Sequence, residues 1–270
     1  MWTTIIVGGL IFAVAVLMTM VGKGGGNFYV LILAMSGIPI HQAATTGQFI
    51  LFSAAVAAMV VFHKNKSVSW PLALLIGVST ALSALAGGYF SHVFSGFSLK
   101  LIFAVMLFVS GAAMLIPVSE GKKALGDKKL GVVTVKVGDT TIGVNLLVAL
   151  PVTLLVGFAA GMVGVSGGSF LVPLMVLACA VPMRVAVGTA SVLVAGTALM
   201  GFAGHAARGD FHPEVAVPLA FVTIVGGLLG GRFALKTKPK NLKKLFALSL
   251  IHISEPTRPL YISYAVFCLK

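Results

Sequence analysis

Two clusters of glycine mark places where the backbone itself can bind a ligand. The first is Gly22, Gly24, Gly25 and Gly26, and the second is Gly164, Gly167 and Gly168. Each stands just before a short apolar stretch, so Asn27-Phe28 and Ser169-Phe170 open helices whose first N–H groups lack intrahelical partners. A helix start is a ready anion site, because those donors and the positive end of the helix dipole act together. In a membrane such donors have to be met by protein, water or substrate. Two of these ends, brought together, make a pocket for a small oxyanion. Close helix packing is the competing use of the same glycines, since small residues mediate helix contacts in lipid.

Hydroxyl and amide side chains follow on the next segment. Thr45, Thr46 and Gln48 lie four or more residues beyond His41, and Thr189 and Ser191 occupy the matching region later in the chain. Such groups hydrogen-bond an anion without fixed charge, which permits release; hydrogen bonding between helices competes for them. The candidate substrate-binding set is therefore Gly24, Gly25, Gly26, Asn27, Thr45, Thr46, Gln48, Gly167, Gly168, Ser169, Thr189 and Ser191. Lys23 lies inside the first cluster opposite Val165 in the second, so any role for its charge is one-sided. It either faces an anion or snorkels to the cytoplasmic interface. His63 and His205 close the third segment of each half; a solvated helix end and a proton carrier are the two readings.

A catalytic set is missing. Asp127 and Asp139 fall in a polar linker, and Asp210 and Glu214 in a loop. The run Gly22-Lys23-Gly24-Gly25-Gly26 lacks the order of a phosphate-binding P-loop. Two cysteines among 270 residues allow neither a disulfide framework nor a CxxC metal site. No enzyme activity, cofactor or metal is expected.

The elements that position these residues come in two copies. Val21 to Val30 resembles Val163 to Val172 at an offset of 142. Pro39 then matches Pro182, Thr46 matches Thr189, and Gly87-Gly88 matches Gly230-Gly231, all at 143. One register change over so long a stretch argues duplication. Apolar segments fall at about 3–21, 27–38, 43–62, 68–90 and 98–117, and again at 141–163, 168–181, 184–204, 213–235 and from 242 onward. A spanning helix takes roughly 20 residues, so the second segment of each half is a broken helix or a re-entrant one.

Composition and charge fix the setting. Apolar residues make up 59% and charged residues 9%, with a mean hydropathy of +1.09. That excludes a soluble domain, where about 25% charge is usual. The net charge of +13 lies in short loops rather than on one face, which excludes nucleic acid as the partner. If the short segments cross the membrane, 15 of the 17 Lys and Arg residues before Leu248 fall on one side, with Lys100 and Arg208 on the other. Cytoplasmic loops carry that excess. The expected fold is an all-α polytopic membrane protein of two inverted repeats, each of about five helical segments with a short broken helix after its glycine cluster, and an N-terminus outside. Residues 1–117 form the first repeat, 118–140 a cytoplasmic linker that includes the alternating run Val132–Val137, and 141–247 a truncated second repeat. From about Leu248 the chain resembles the conceptual translation of a sequencing adapter, so 248–270 is read as a non-native tail.

The doubled pattern of a glycine cluster, Phe-x-Val, Ile/Val-Pro and Ala-x-x-Thr resembles the sulfite exporter TauE/SafE family over residues 1 to about 247. The second copy, Gly164-Val-Ser-Gly-Gly-Ser-Phe-Leu-Val-Pro173, is nearer the family pattern; the first departs at Lys23 and at Leu31. The resemblance implies a transporter of sulfite, sulfonates or similar organic anions in the bacterial cytoplasmic membrane. Alternating access of inverted halves with discontinuous helices is a recurring transporter plan. The partners expected are a small anionic substrate and the lipid bilayer, with a homo-oligomer left open. A membrane scaffold or assembly partner is the alternative of another class.

Overall fold

Long apolar runs without acidic residues form helices here because only intrasegment hydrogen bonds satisfy a backbone in lipid. The computed structural model describes residues 2–94, 132–137, 140–165, 167–179, 181–207 and 211–254. The expected segment 98–117, most of the linker and residues 255–270 lie outside that set. The first half holds α1 (Trp2–Met20), α2 (Gly26–Met35), α3 (Ile40–Lys64) and α4 (Trp70–Phe90), then a 3₁₀ turn, Ser91–Val93. A hairpin follows, β1 (Val132–Val137) and β2 (Thr140–Asn145). The second half holds α5 (Leu146–Val163), α6 (Gly168–Pro173), α7 (Met183–Ala206), α8 (Pro213–Lys236) and α9 (Pro239–Ser254). α6 continues into a π turn over Leu174–Ala178. α3 from His41, α4, α7 and α8 are each long and apolar enough to cross a membrane. The chain is an all-α polytopic membrane protein.

Local signals set the boundaries. Pro39 (φ −52°) and Pro182 (φ −56°) precede α3 and α7, where a missing N–H costs nothing. Asn145 caps α5 by accepting from the Leu147 N–H at 3.0 Å, a typical N-cap contact. The segment read from residue 141 therefore starts as a helix only at Leu146. Thr140 to Asn145 pair antiparallel with β1, Val132 opposite Asn145 and Val137 opposite Thr140. β-branched residues favour that pleated arrangement. At the other end, α9 runs on from Leu248 through Ser254.

The helices interleave across the two halves. α8 packs on α1 and α3, α4 packs on α5 and α7, and α3 crosses α7. One buried cluster joins Ile11 of α1, Tyr29 and Leu33 of α2, Ile50 and Leu51 of α3 and Ala220 of α8. Another joins Leu72 and Ile76 of α4, Val156 of α5, Leu171 and Met175 beyond it, and Leu193 of α7. Each body thus takes one long helix from the other half.

Glycines allow the approach, and their contacts are reciprocal. A Cβ at Gly87 would lie 2.0 Å from the Phe158 carbonyl oxygen; one at Gly230 would lie 2.4 Å from that of Val16. Gly88 meets Gly201 and Gly204, while Gly231 meets Ala58 and Val61. In each case the partners are themselves 142 or 143 residues apart. With lipid as apolar as the side chains, such close packing holds helices together, and a methyl group at Gly87 would force them apart. The outer helices turn apolar stripes outward, among them Leu74, Val78, Leu82 and Leu85 of α4 and Leu147, Leu154 and Leu155 of α5.

Candidate anion site

The first glycine cluster folds as a left-handed turn. Gly22, Gly24 and Gly25 have φ of +75°, +71° and +91°, values that L side chains rarely adopt. Gly25 caps α2, and its carbonyl accepts from the Phe28 and Tyr29 N–H groups at 3.0 and 3.1 Å. The start of α2 therefore offers the N–H groups of Gly26 and Asn27 as its outermost donors. The second cluster is built differently. Gly164 (φ +76°) ends α5, whereas Gly167 (φ −66°) is already helical and accepts from Phe170 and Leu171, both at 3.0 Å.

These two helix starts meet. A Cβ at Gly168 would stand 2.5 Å from the Gly22 carbonyl oxygen and 3.1 Å from the Lys23 Cα. Met18, Lys23, Gly25, Gly26, Asn27 and Phe28 of the first half line one crevice with Ser169 of the second. Its interatomic space is about 170 Å³, none of it wide enough for a water molecule. A second crevice of about 160 Å³ is lined by Thr19, Gly22, Gly24, Ala55, Ser191 and Val194.

The polar candidates divide between these crevices and the helix interfaces. Gly25, Gly26, Asn27 and Ser169 line the first crevice; Gly24 and Ser191 line the second. Gly167 lies behind its helix start, with Leu171 and Thr197 as nearest neighbours. Thr189 is turned away, its hydroxyl accepting the Ser69 N–H at 3.0 Å. Thr45 donates to the His41 carbonyl at 2.9 Å and Ser191 to the Gly188 carbonyl at 2.7 Å; both bonds are local ones that Ser and Thr commonly make in helices. Thr46 is buried on α3. Gln48 is wholly buried, and neither its Nε2 nor its Oε1 has a hydrogen-bond partner.

Five positions depart from their sequence readings or fall outside the candidate set. Lys23 does not reach the surface: it is 2% exposed, its Nζ donates to the Phe246 carbonyl of α9 at 3.3 Å, and it sits 4.2 Å from the centre of the Phe246 ring. Lysine in membrane proteins more often snorkels, so only its place inside the glycine cluster pointed to burial. Met18 and Phe28 complete the first crevice and are indistinguishable in type from the apolar residues around them. The paired histidines differ. His63 is exposed, its Nδ1 3.1 Å from the Trp70 Nε1 that donates to it, while His205 is buried with Nε2 3.0 Å from the Gly161 carbonyl. Among the described residues no group of three or more His, Cys, Asp and Glu could hold a metal ion.

Comparison with known proteins points to membrane transporters. The chain is 22% identical to the probable membrane transporter protein YunE of Bacillus subtilis (strain 168), covering 87% of this chain and 90% of that one. It is 25% identical to a probable membrane transporter protein of Xylella fastidiosa (strain Temecula1 / ATCC 700964), covering 92% and 90%. A second Xylella fastidiosa protein of the same description, from strain 9a5c, is 27% identical over 83% of this chain and 79% of its own. No solved structure matches at a significant level. The profile described as sulfite exporter TauE/SafE matches residues 7–254, which extends seven residues past the boundary drawn at Leu248. With that match over nearly the whole chain, the protein belongs to the sulfite exporter TauE/SafE family of membrane transporters.

Proposed function

We propose that the chain is a secondary transporter moving small sulfur-containing anions, sulfite, sulfonates or similar organic anions, across the bacterial cytoplasmic membrane by alternating access. The observation that carries this reading is the meeting of the two glycine-headed helix starts in one crevice, with Lys23 and Asn27 on one side and Ser169 on the other. Backbone donors and two positive dipole ends converge there, which suits an oxyanion head. Lys23 adds a charge from the first half alone. The crevice is shut, so binding requires an opening movement.

The packing suggests where that movement occurs. α1, α2, α3 and α8 form one body and α4, α5, α6 and α7 the other, with α3 and α7 crossing between them. Inverted repeats at 1–117 and 141–247 account for the reciprocal contacts, and an N-terminus outside for the loop charges. Purified protein in liposomes tests the reading. Saturable flux of sulfite, a sulfonate or a carboxylate is expected, and its absence for all three ends the proposal. Gly168→Leu, which drives a side chain into the Gly22 carbonyl, loses that flux while the protein still inserts into the membrane. Unchanged flux in that variant removes the crevice from the pathway.

A further inference from the structure

The buried amide of Gln48 is the polar group this core leaves most conspicuously unanswered. The residue is 0% exposed, and both amide heavy atoms are without a hydrogen-bond partner. Burying an amide unpaired costs about 1–3 kcal/mol, so a position that keeps one has a use for it. Its surroundings explain the space it occupies. On α7 the absent side chain of Gly201 makes room, a Cβ there lying 2.7 Å from Nε2 and 3.2 Å from Oε1. Along α3, Ala44 one turn before it touches Gly164, and Leu51 about a turn after it touches Gly24. Gln48 thus lies on α3 between the residues that touch the two glycine clusters, with its own amide against Gly201 and outside the lining of both crevices.

Three hydroxyls on α3 and α7 have their protons committed within their own helices. Thr45 donates to the His41 carbonyl, Thr197 to those of Leu193 and Val194, and Ser191 to that of Gly188. The Thr189 hydroxyl receives the Ser69 N–H. An amide differs from a hydroxyl in presenting a donor and an acceptor side by side. We propose that Gln48 reads the protonation state of the transported anion. Nε2 donates to an anionic oxygen, Oε1 accepts from a hydroxyl on the same anion, and the site selects singly protonated oxyanions over fully deprotonated ones. An oxyanion without a hydroxyl satisfies Nε2 only and sets its lone pairs against Oε1. The proton then travels on the substrate itself. This inference rests on the transport reading above and names the substrate class of that site.

Other titratable or charged groups on the elements around α3 are Arg184 and His205 on α7, Tyr29 on α2, Lys23 before it, and Glu214, Arg232 and Lys236 on α8. The test compares flux of sulfite and of methanesulfonate into proteoliposomes over the pH range in which sulfite loses its last proton. Sulfite flux is expected to rise as pH falls and to exceed methanesulfonate flux by about tenfold or more. Gln48→Met removes both amide atoms at similar length. It is expected to cut the preference for sulfite about tenfold and to flatten the pH response, with a melting temperature no lower than that of the unaltered chain. His205→Gln is expected to keep the pH response. Equal fluxes of the two anions, an unchanged preference in Gln48→Met, or loss of the pH response in His205→Gln each overturns the inference while leaving transport standing. No flux of any anion overturns both.

Discussion

The two glycine clusters share residue types but not backbone conformation or charge. Gly25 is left-handed at φ +91°, while Gly167, its match at an offset of 142, is helical at φ −66°. Lys23 stands where the second cluster has Val165. The first copy is thus a left-handed turn carrying a lysine, and the second an early helix start carrying none. A repeat preserves the spacing that brings two helix ends together. It leaves each copy free to specialise, and here the charge is concentrated in the first.

The largest effect should come from tying the clusters' supports together. Leu51 of α3 and Val194 of α7 both reach the place of a Gly24 Cβ, at 2.5 and 2.9 Å. A Leu51→Cys/Val194→Cys cross-link is expected to stop flux, with recovery on reduction. A Ser79→Cys/Thr153→Cys link, made where the two hydroxyls lie 3.2 Å apart on α4 and α5, should leave flux intact. If both links stop transport, the two bodies do not move against each other across α3 and α7. Next in size is the charge difference. Lys23→Met is expected to lower anion flux about tenfold, whereas Val165→Met leaves it within about twofold, as kinetics in proteoliposomes will show. Equal losses would erase the asymmetry. Smallest is the backbone difference. Gly25→Ala should destabilise by about 1–2 kcal/mol in thermal melts, because L residues resist left-handed geometry. Gly167→Ala should fall within about 0.5 kcal/mol or stabilise slightly, its nearest neighbour being the flexible end of Leu171 at 3.2 Å.

How legible these features were in the sequence follows from what lipid does to sequence signals. Helix positions were readable because a spanning helix must be continuously apolar, and α3, α4, α7 and α8 fall close to the expected segments. The partner of each helix was not. Ile5 faces outward and Ile11 is fully buried on the same helix, and nothing in residue type separates them, since lipid and protein interior are equally apolar. The start of α5 was hidden because the strand Thr140–Asn145 joins the helix with no loop between them, and Asn145 alone marks the boundary as its cap. At the candidate site, the glycine spacing pointed to the meeting of Gly26 with Ser169. It could not reveal which hydroxyls spend their protons on their own helix, as Thr45 and Ser191 do.

The π turn at Leu174–Ala178 explains a detail of the repeat. The two copies run 142 apart through Val172 and 143 apart from Pro182, so the second copy holds one extra residue within that interval. A π turn is how a helix swallows a single inserted residue without losing its axis or ends. Any alignment of the two halves should therefore place its gap inside this turn. The π turn takes up that residue within the helix, and Pro182 precedes α7 as Pro39 precedes α3.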